Sequence, residues 1–216
     1  MKNLAIALLV VGCAAQVSVA GNGRDISSVN GSVDTSPGET YNTLSTVNGD
    51  VHVNNGTSAY VAKTVNGDVT LDADAKVGSA HTVNGSLNIR DGANIEHEAS
   101  TVNGSIELGH RARVGGDVTT VSGDIDLNGA EVGGGLQTHN GDIKLRDGAH
   151  VQGGITVKKK NDKGWRWGND HDDPVKVNIC ATCEVVGDLN FERAVILHVE
   201  PGAKIGQVIG DEVTRR

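Results

Sequence analysis

Apolar residues in this chain recur in short alternating runs. Val51-His52-Val53, Val69-Thr70-Leu71, Leu87-Asn88-Ile89, Ile106-Glu107-Leu108, Ile125-Asp126-Leu127 and Ile143-Lys144-Leu145 each set one polar residue between two apolar ones. A few residues later comes a second set: Ala75-Lys76-Val77, Ala93-Asn94-Ile95, Ala112-Arg113-Val114, Ala130-Glu131-Val132 and Ala149-His150-Val151. A third set follows: Ala80-His81-Thr82, Val118-Thr119-Thr120, Leu136-Gln137-Thr138 and Ile155-Thr156-Val157. A period of two is that of a strand with one buried face. No stretch of residues 21–216 carries helical spacing.

The runs are punctuated by a motif. Ser28-Val29-Asn30-Gly31 is followed by Thr46-Val47-Asn48-Gly49, Thr64-Val65-Asn66-Gly67, Thr82-Val83-Asn84-Gly85, Thr101-Val102-Asn103-Gly104, Thr120-Val121-Ser122-Gly123 and Thr138-His139-Asn140-Gly141, with glycines 18 or 19 residues apart. Units this short cannot bury a face alone, so they must stack. Three short strands per repeat, separated by glycine-containing corners, predict an all-β, single-stranded, three-faced parallel β-helix of about nine coils. Stacked at ~4.8 Å, such coils make a rod of roughly 40 Å.

The alternation also orients the motif. Val157 and Phe191 take the Thr position in later coils, so Thr is expected inward. His139, Lys158 and Glu192 take the Val position, so Val is expected outward or on an edge. Asn is then expected inward, as a ladder through Asn30, Asn48, Asn66, Asn84, Asn103 and Asn140 whose amides partner one another. Gly relieves the corner.

The repeat is interrupted once. Residues 158–174 follow no strand pattern and are expected to loop out. The pattern resumes at Val177-Asn178-Ile179, Cys183-Glu184-Val185, Leu189-Asn190-Phe191, Leu197-His198-Val199 and Ala203-Lys204-Ile205.

The first residues set the compartment. Met1-Lys2-Asn3 precedes an apolar run, Leu4 to Val11, too short to span a bilayer, and Ser18-Val19-Ala20 supplies small residues for cleavage. Residues 1–20 are therefore expected to be a signal peptide and 21–216 the β-helix domain. Val10-Val11-Gly12-Cys13 also has the form of a bacterial lipobox, the less favoured reading, which would put a lipid on Cys13. The mature chain is expected to be exported to the periplasm or cell surface without a membrane span. Cleavage removes Lys2 and no acid, so the net charge of −8 becomes −9. That sign disfavours nucleic acid and anionic membranes.

The Thr-Val-Asn-Gly-Asp-Val-x-Leu repeats behind a signal peptide resemble bacterial adhesin-like β-helix families of unknown function. Leu197-His198-Val199-Glu200-Pro201-Gly202-Ala203-Lys204-Ile205-Gly206 resembles repeats of bactofilins, which form polymers. The first likeness covers most of residues 25–210. It implies a right-handed, three-faced helix acting as a non-enzymatic surface or binding module of the cell envelope. The second implies self-association.

Candidate chemistry is sparse. Trp165, Arg166 and Trp167 are the candidate contacts for an envelope protein or glycan, since exposed tryptophans stack on sugars or anchor partners. Cys180 and Cys183 are a candidate disulfide; a redox role would need a thiol activated at a helix N-terminus. Asp170, His171, Asp172 and Asp173 lack the glycine and distant Glu of a calcium loop. Asp50, Asp68, Asp124, Asp126 and Asp142 are expected on one solvated face. A polysaccharide-active β-helix enzyme is the least favoured reading, because the chain offers one large loop and no paired carboxylates that converge; no catalytic residue, cofactor or metal is expected. Val29, Val47, Val65, Val83, Val102 and Val121 form a stripe that is either an exposed interface or covered at the corner.

Overall fold

A computed structural model describes residues 23–159, 173–210 and 212–215. Every regular element among them is a β-strand. Ten strands stack in parallel to form the first face: Val33–Asp34, Val51–Val53, Val69–Leu71, Leu87–Ile89, Ile106–Leu108, Ile125–Asn128, Ile143–Arg146, Val175–Ile179, Val195–Val199 and Val213–Arg215. The chain is a β-solenoid of ten coils rather than nine. The tenth lacks the Asn-Gly motif and pairs through Val195 with Val213 and Ile196 with Thr214. Ten strands at ~4.8 Å make a rod of about 43 Å.

The other two faces separate gradually. In the first three coils they are one six-residue strand each, Thr40–Ser45, Ser58–Lys63 and Lys76–His81. Inward residues there are three apart (Tyr41 and Leu44, Ala59 and Ala62, Val77 and Ala80), which marks a bend inside each strand. Val77 pairs with Ile95, but Ala80 pairs with Ala99. One extra residue has entered the bend, and from there the strand divides. Asn94–Ile95, Arg113–Val114, Glu131–Val132, His150–Val151, Glu184–Val185 and Lys204–Ile205 form the second face. Ala99–Ser100, Val118–Thr119, Leu136–Thr138, Ile155–Val157, Leu189–Phe191 and Val208–Ile209 form the third.

The core is a set of columns. Val51, Val69, Leu87, Ile106, Ile125, Ile143, Val177 and Leu197 stack on one line, and all are buried. Each such side chain contributes about 1.5–3 kcal/mol of apolar burial. Beyond the first face a turn brings in a small residue: Ala75, Ala93, Ala112, Ala130 and Ala149 are fully buried. Most of these turns hold a residue in the left-handed region, Gly56 (φ 66°), Asp74 (φ 59°), Gly92 (φ 72°) or Arg111 (φ 58°). The 180–183 turn holds none and is closed instead by a Cys180–Cys183 disulfide, with Cys183 in the buried alanine column.

At the motif corner the backbone ladder continues through the Asn and Gly amides, but at the glycine carbonyl and at the amide after it side chains take over. Thr46, Thr64, Thr82, Thr101 and Thr120 point inward, and each Oγ1 donates to the motif glycine carbonyl of the coil before, at 2.8–3.0 Å. The next residue accepts on the other side. Asp50 Oδ1 accepts the amide of Asp68 at 2.9 Å, Asp68 that of Ser86 at 2.7 Å, Asp124 that of Asp142 at 2.8 Å and Asp142 that of Lys176 at 2.8 Å. Ser32, Ser86 and Ser105 do the same through Oγ. Between these ladders the glycines pass too closely for a side chain. A Cβ on Gly85 would sit 1.9 Å from the Gly67 carbonyl oxygen.

Asparagine behaves differently from expectation. Asn48, Asn66, Asn84 and Asn103 each donate Nδ2 to Oδ1 of the preceding asparagine, the first being Asn30, at 2.8–3.0 Å. All five are exposed. The ladder therefore runs outside the corner, because the in–out alternation of the strands does not carry through it. Ser122 breaks the ladder, and Asn140 beyond it is held by Arg193.

Candidate binding surfaces

Three surfaces flank these ladders. The first is the valine stripe. Val29 is 65% exposed at the N-terminal end. Val47, Val65, Val83, Val102 and Val121 are half-buried. Their carbonyls accept the motif amide of the next coil, as in Asn66 N to Val47 O at 2.8 Å. The stripe is thus a narrow, partly covered apolar line beside the exposed asparagines.

The second surface is an open groove of about 680 Å³ on the first face. Gly109 lies in its wall, in register with Arg90 and Asn128 of the coils on either side. Arg90 is committed to Asp72 at 3.0 Å, and Arg146 holds Asp126 through Nε at 3.1 Å and Nη2 at 2.7 Å. Two acceptors are left over. Glu107 has no ion-pair partner among the described residues, and Asn128 Oδ1 is buried without a hydrogen bond. Glu107 and Asp126 are register partners on adjacent strands. Sequence reasoning did not single out Glu107, Arg90, Arg146 or Asn128. The outward position of consecutive first-face strands, together with the lone Gly109, was the signal for them.

The third surface surrounds the interruption. Lys158 still lies within the coil, donating its amide to Thr138 O, and Lys159 N donates to Glu192 Oε2. Lys158 and Lys159, expected in the loop, thus still bond to the neighbouring coils, and Val175 pairs again in the first face. Arg193 ties the far root, at Asp173, to the corner of the preceding coil. Its Nη1 donates to His139 O at 2.9 Å and to Asn140 Oδ1, and its Nη2 donates to Asp173 O at 3.1 Å. A groove of about 690 Å³ opens between Asn140, Asp142, Asp173, Lys176 and Arg193. Trp165, Arg166 and Trp167 lie outside the described residues, as do Asp170, His171 and Asp172, Cys13 and residues 1–20.

Two histidines sit in networks with catalytic ingredients. His52 Nε2 is 2.9 Å from Asp72 Oδ2, and its Nδ1 is 3.5 Å from Asp34 Oδ1. His81 Nδ1 is 2.8 Å from Ser100 Oγ, with Glu98 at 3.8 Å from Nε2. Burial pushes the His81 imidazole below its ordinary value; Glu98 opposes this and Lys63 reinforces it. A neutral imidazole beside a hydroxyl is the start of a nucleophile, but acyl transfer also needs amides free to hold an oxyanion. Here the neighbouring amides are committed: Ala99 N donates to Asp117 O and Thr101 N to Thr119 O. His139 is likewise depressed by burial and by Lys158, with Glu192 opposing.

The acidic column resolves differently from the solvated face expected of it. Asp50, Asp68, Asp124 and Asp142 are hydrogen-bond acceptors between coils, while Asp126 stands in another column with Arg146. Among the described residues no group of three or more His, Cys, Asp or Glu side chains is arranged to hold a metal ion. No helix among them is long and apolar enough to cross a membrane.

No protein-family model, no characterised protein and no solved structure matches this chain.

Proposed function

We propose that this chain is an exported, non-enzymatic β-solenoid that serves as an adhesin-like or structural surface module of the bacterial cell envelope, engaging an envelope protein or glycan. The observation that carries this reading is how the repeat uses its polar groups. Thr, Asn, Asp and Ser of the motif are spent on coil-to-coil hydrogen bonds. What remains is a stiff rod with a repeating surface, open grooves and one interruption. The disulfide in the 180–183 turn supports export, since such bonds persist in oxidising compartments. The likeness to adhesin-like repeats points the same way.

A second reading is self-assembly, in keeping with the bactofilin-like tail. Toward the last described coil Val199, Ala203, Ile205, Val208 and Val213 are only partly buried, beside strands whose outer edges pair with no other described strand. Open edges of this kind invite another chain.

One experiment separates them. The mature chain, residues 21–216, is sized by light scattering across concentration while tryptophan fluorescence follows added glycans. Both tryptophans of the chain, Trp165 and Trp167, lie in the interruption, so the signal reports that segment alone. A stable monomer with a saturable fluorescence shift supports the binding module. Concentration-dependent growth with a flat signal replaces it with the scaffold.

A further inference from the structure

Eight Asn-Gly pairs have both residues within the described segments: those beginning at Asn30, Asn48, Asn55, Asn66, Asn84, Asn103, Asn128 and Asn140. Asn-Gly is the dipeptide most open to intramolecular attack, because glycine puts no side chain in the way of its own nitrogen. The glycine amide nitrogen adds to the asparagine Cγ, forming an N–Cγ bond. The Cγ–Nδ2 bond then breaks, and ammonia leaves with the proton the amide gave up. Water opens the resulting succinimide at either carbonyl, giving aspartate or isoaspartate. One water is consumed and one ammonia released, with no oxidant or co-reactant.

The reaction needs three things: a mobile asparagine side chain, a glycine amide free of strong hydrogen bonds, and room for the ring. The ladder withholds all three. Its side chains are tied amide to amide at 2.8–3.0 Å. Its glycine amides donate to the next coil at 2.8–3.0 Å, as in Gly49 N to Asn66 O and Gly67 N to Asn84 O. The space beside them is filled: a Cβ on Gly49 would lie 2.5 Å from Gly31 C, and one on Gly67 2.1 Å from Gly49 O. Outside the ladder, Asn140 is held by Arg193, and Gly129 after Asn128 donates to Arg146 O at 2.9 Å in a crowded site.

Asn55-Gly56 meets none of these restraints. Asn55 is exposed, and no hydrogen bond of its side amide is recorded, whereas Asn54 beside it is tied to Thr35. The Gly56 amide reaches Ala73 O only at 3.4 Å. Gly56 sits at φ 66° in an open turn, with nothing within 4 Å of a Cβ placed on it. We infer that Asn55 is the site of spontaneous deamidation among these eight pairs, and that the asparagine ladder protects the motif asparagines from the same reaction. Asn30, at the end of the ladder, is intermediate. It accepts from Asn48 but donates to no asparagine among the described residues, and a Cβ on its Gly31 would meet only Ser28 Oγ, at 3.7 Å. Each conversion at Asn55 adds one negative charge to the turn.

The test is ageing of the mature chain at neutral to mildly alkaline pH, with peptide mapping by mass spectrometry that resolves aspartate from isoaspartate at each pair. Asn55 is expected to convert at least about a hundredfold faster than Asn48, Asn66 and Asn84, which corresponds to ~2.8 kcal/mol of ladder opening. Asn30 is expected to fall between them. In denaturing urea the same pairs should converge, because only the fold distinguishes them. Asn22-Gly23, of which Asn22 lies outside the described residues, is read as a separate peptide. Ladder asparagines converting as fast as Asn55 in the folded chain would overturn the inference. So would an Asn55 that keeps its lead after unfolding, since the cause would then be local sequence.

Discussion

One threonine column contains its own control. Thr82 and Thr138 occupy equivalent inward corner positions, and both are buried. Thr82 Oγ1 donates to Gly67 O at 2.9 Å. Thr138 Oγ1 is buried without a partner. Thr→Val is nearly isosteric, so it opens no cavity at either site. At Thr82 it strands the Gly67 carbonyl, costing about 1–3 kcal/mol, against a gain of up to about 0.8 kcal/mol for the extra buried methyl. The net expectation is a loss of about 1–2 kcal/mol. At Thr138 the hydroxyl already bears its desolvation cost, so Thr138→Val should be neutral or stabilising. The assay is urea unfolding followed by circular dichroism, which reads the strands and not the tryptophans. The denaturant slope must stay constant for midpoints to be compared. Stacked repeats couple mainly to their neighbours, so both variants should keep the fold elsewhere. Equal midpoint shifts at the two sites would refute the reasoning, because apolar packing alone would then decide the column.

Three further expectations follow from other features. Arg111→Gly should raise the urea midpoint by up to about 1 kcal/mol: φ 58° costs an L-residue ~1–2 kcal/mol, and glycine's added chain entropy returns part of that; a lower midpoint would mean that the Arg111 side chain itself stabilises the fold. Stability should fall as pH drops below the ordinary histidine value of 6.5, because His81 and His139 are depressed in the fold and the unfolded chain binds more protons there; thermal unfolding of His81→Asn should show a shallower slope in that window, and an unchanged slope would remove His81 from the account. Cys183→Ala should leave the fold intact, since Ala149 and Ala203 flank it in the same column, and should cost ~2 kcal/mol from loss of a short disulfide loop; circular dichroism and urea titration read both, and a collapse of the strand signal would contradict it.

The strands were legible because their alternation is local. Columns such as Val51-Val69-Leu87 follow directly from runs that repeat at nearly constant spacing, and the inward Thr was betrayed by Val157 and Phe191 at its position. The corners were less legible. Carrying the alternation past Thr and Val put Asn inside, whereas the chain turns there and Asn faces solvent. The acidic column looked like a solvated face because nothing in a sequence reveals that the backbone ladder lapses between a glycine carbonyl and the next coil's amide. The tenth coil, present as Val213–Arg215, went uncounted because it carries no motif. The interruption began one step too early because Lys158 and Lys159 look like loop residues, although both pair with the neighbouring coils. The groove at Glu107 gathers residues of several coils, such as Arg90, Glu107, Asn128 and Arg146, which come together only once the columns are aligned.

The interruption falls at a particular point in the motif. Lys158 follows His139 in the valine column, and Val175 rejoins the first face one residue before Lys176, whose amide continues the Asp142 column. The extra chain therefore enters at the Asn-Gly corner, where side chains carry part of the coil-to-coil bonding. An insertion in the middle of a strand would break ladder hydrogen bonds and shift every inward residue to the wrong face. At the corner it costs the next rung of the asparagine ladder, which Ser122 has already broken, and one backbone bond, since among the described residues the Gly141 amide does not donate to the next coil as the earlier motif glycines do; Arg193 bridges the gap by holding Asn140 and Asp173 together. The same side-chain ladders that keep the motif's polar groups from other chemistry thus leave one place where the solenoid can carry an added segment without loss of register, and that is where the chain has placed both of its tryptophans.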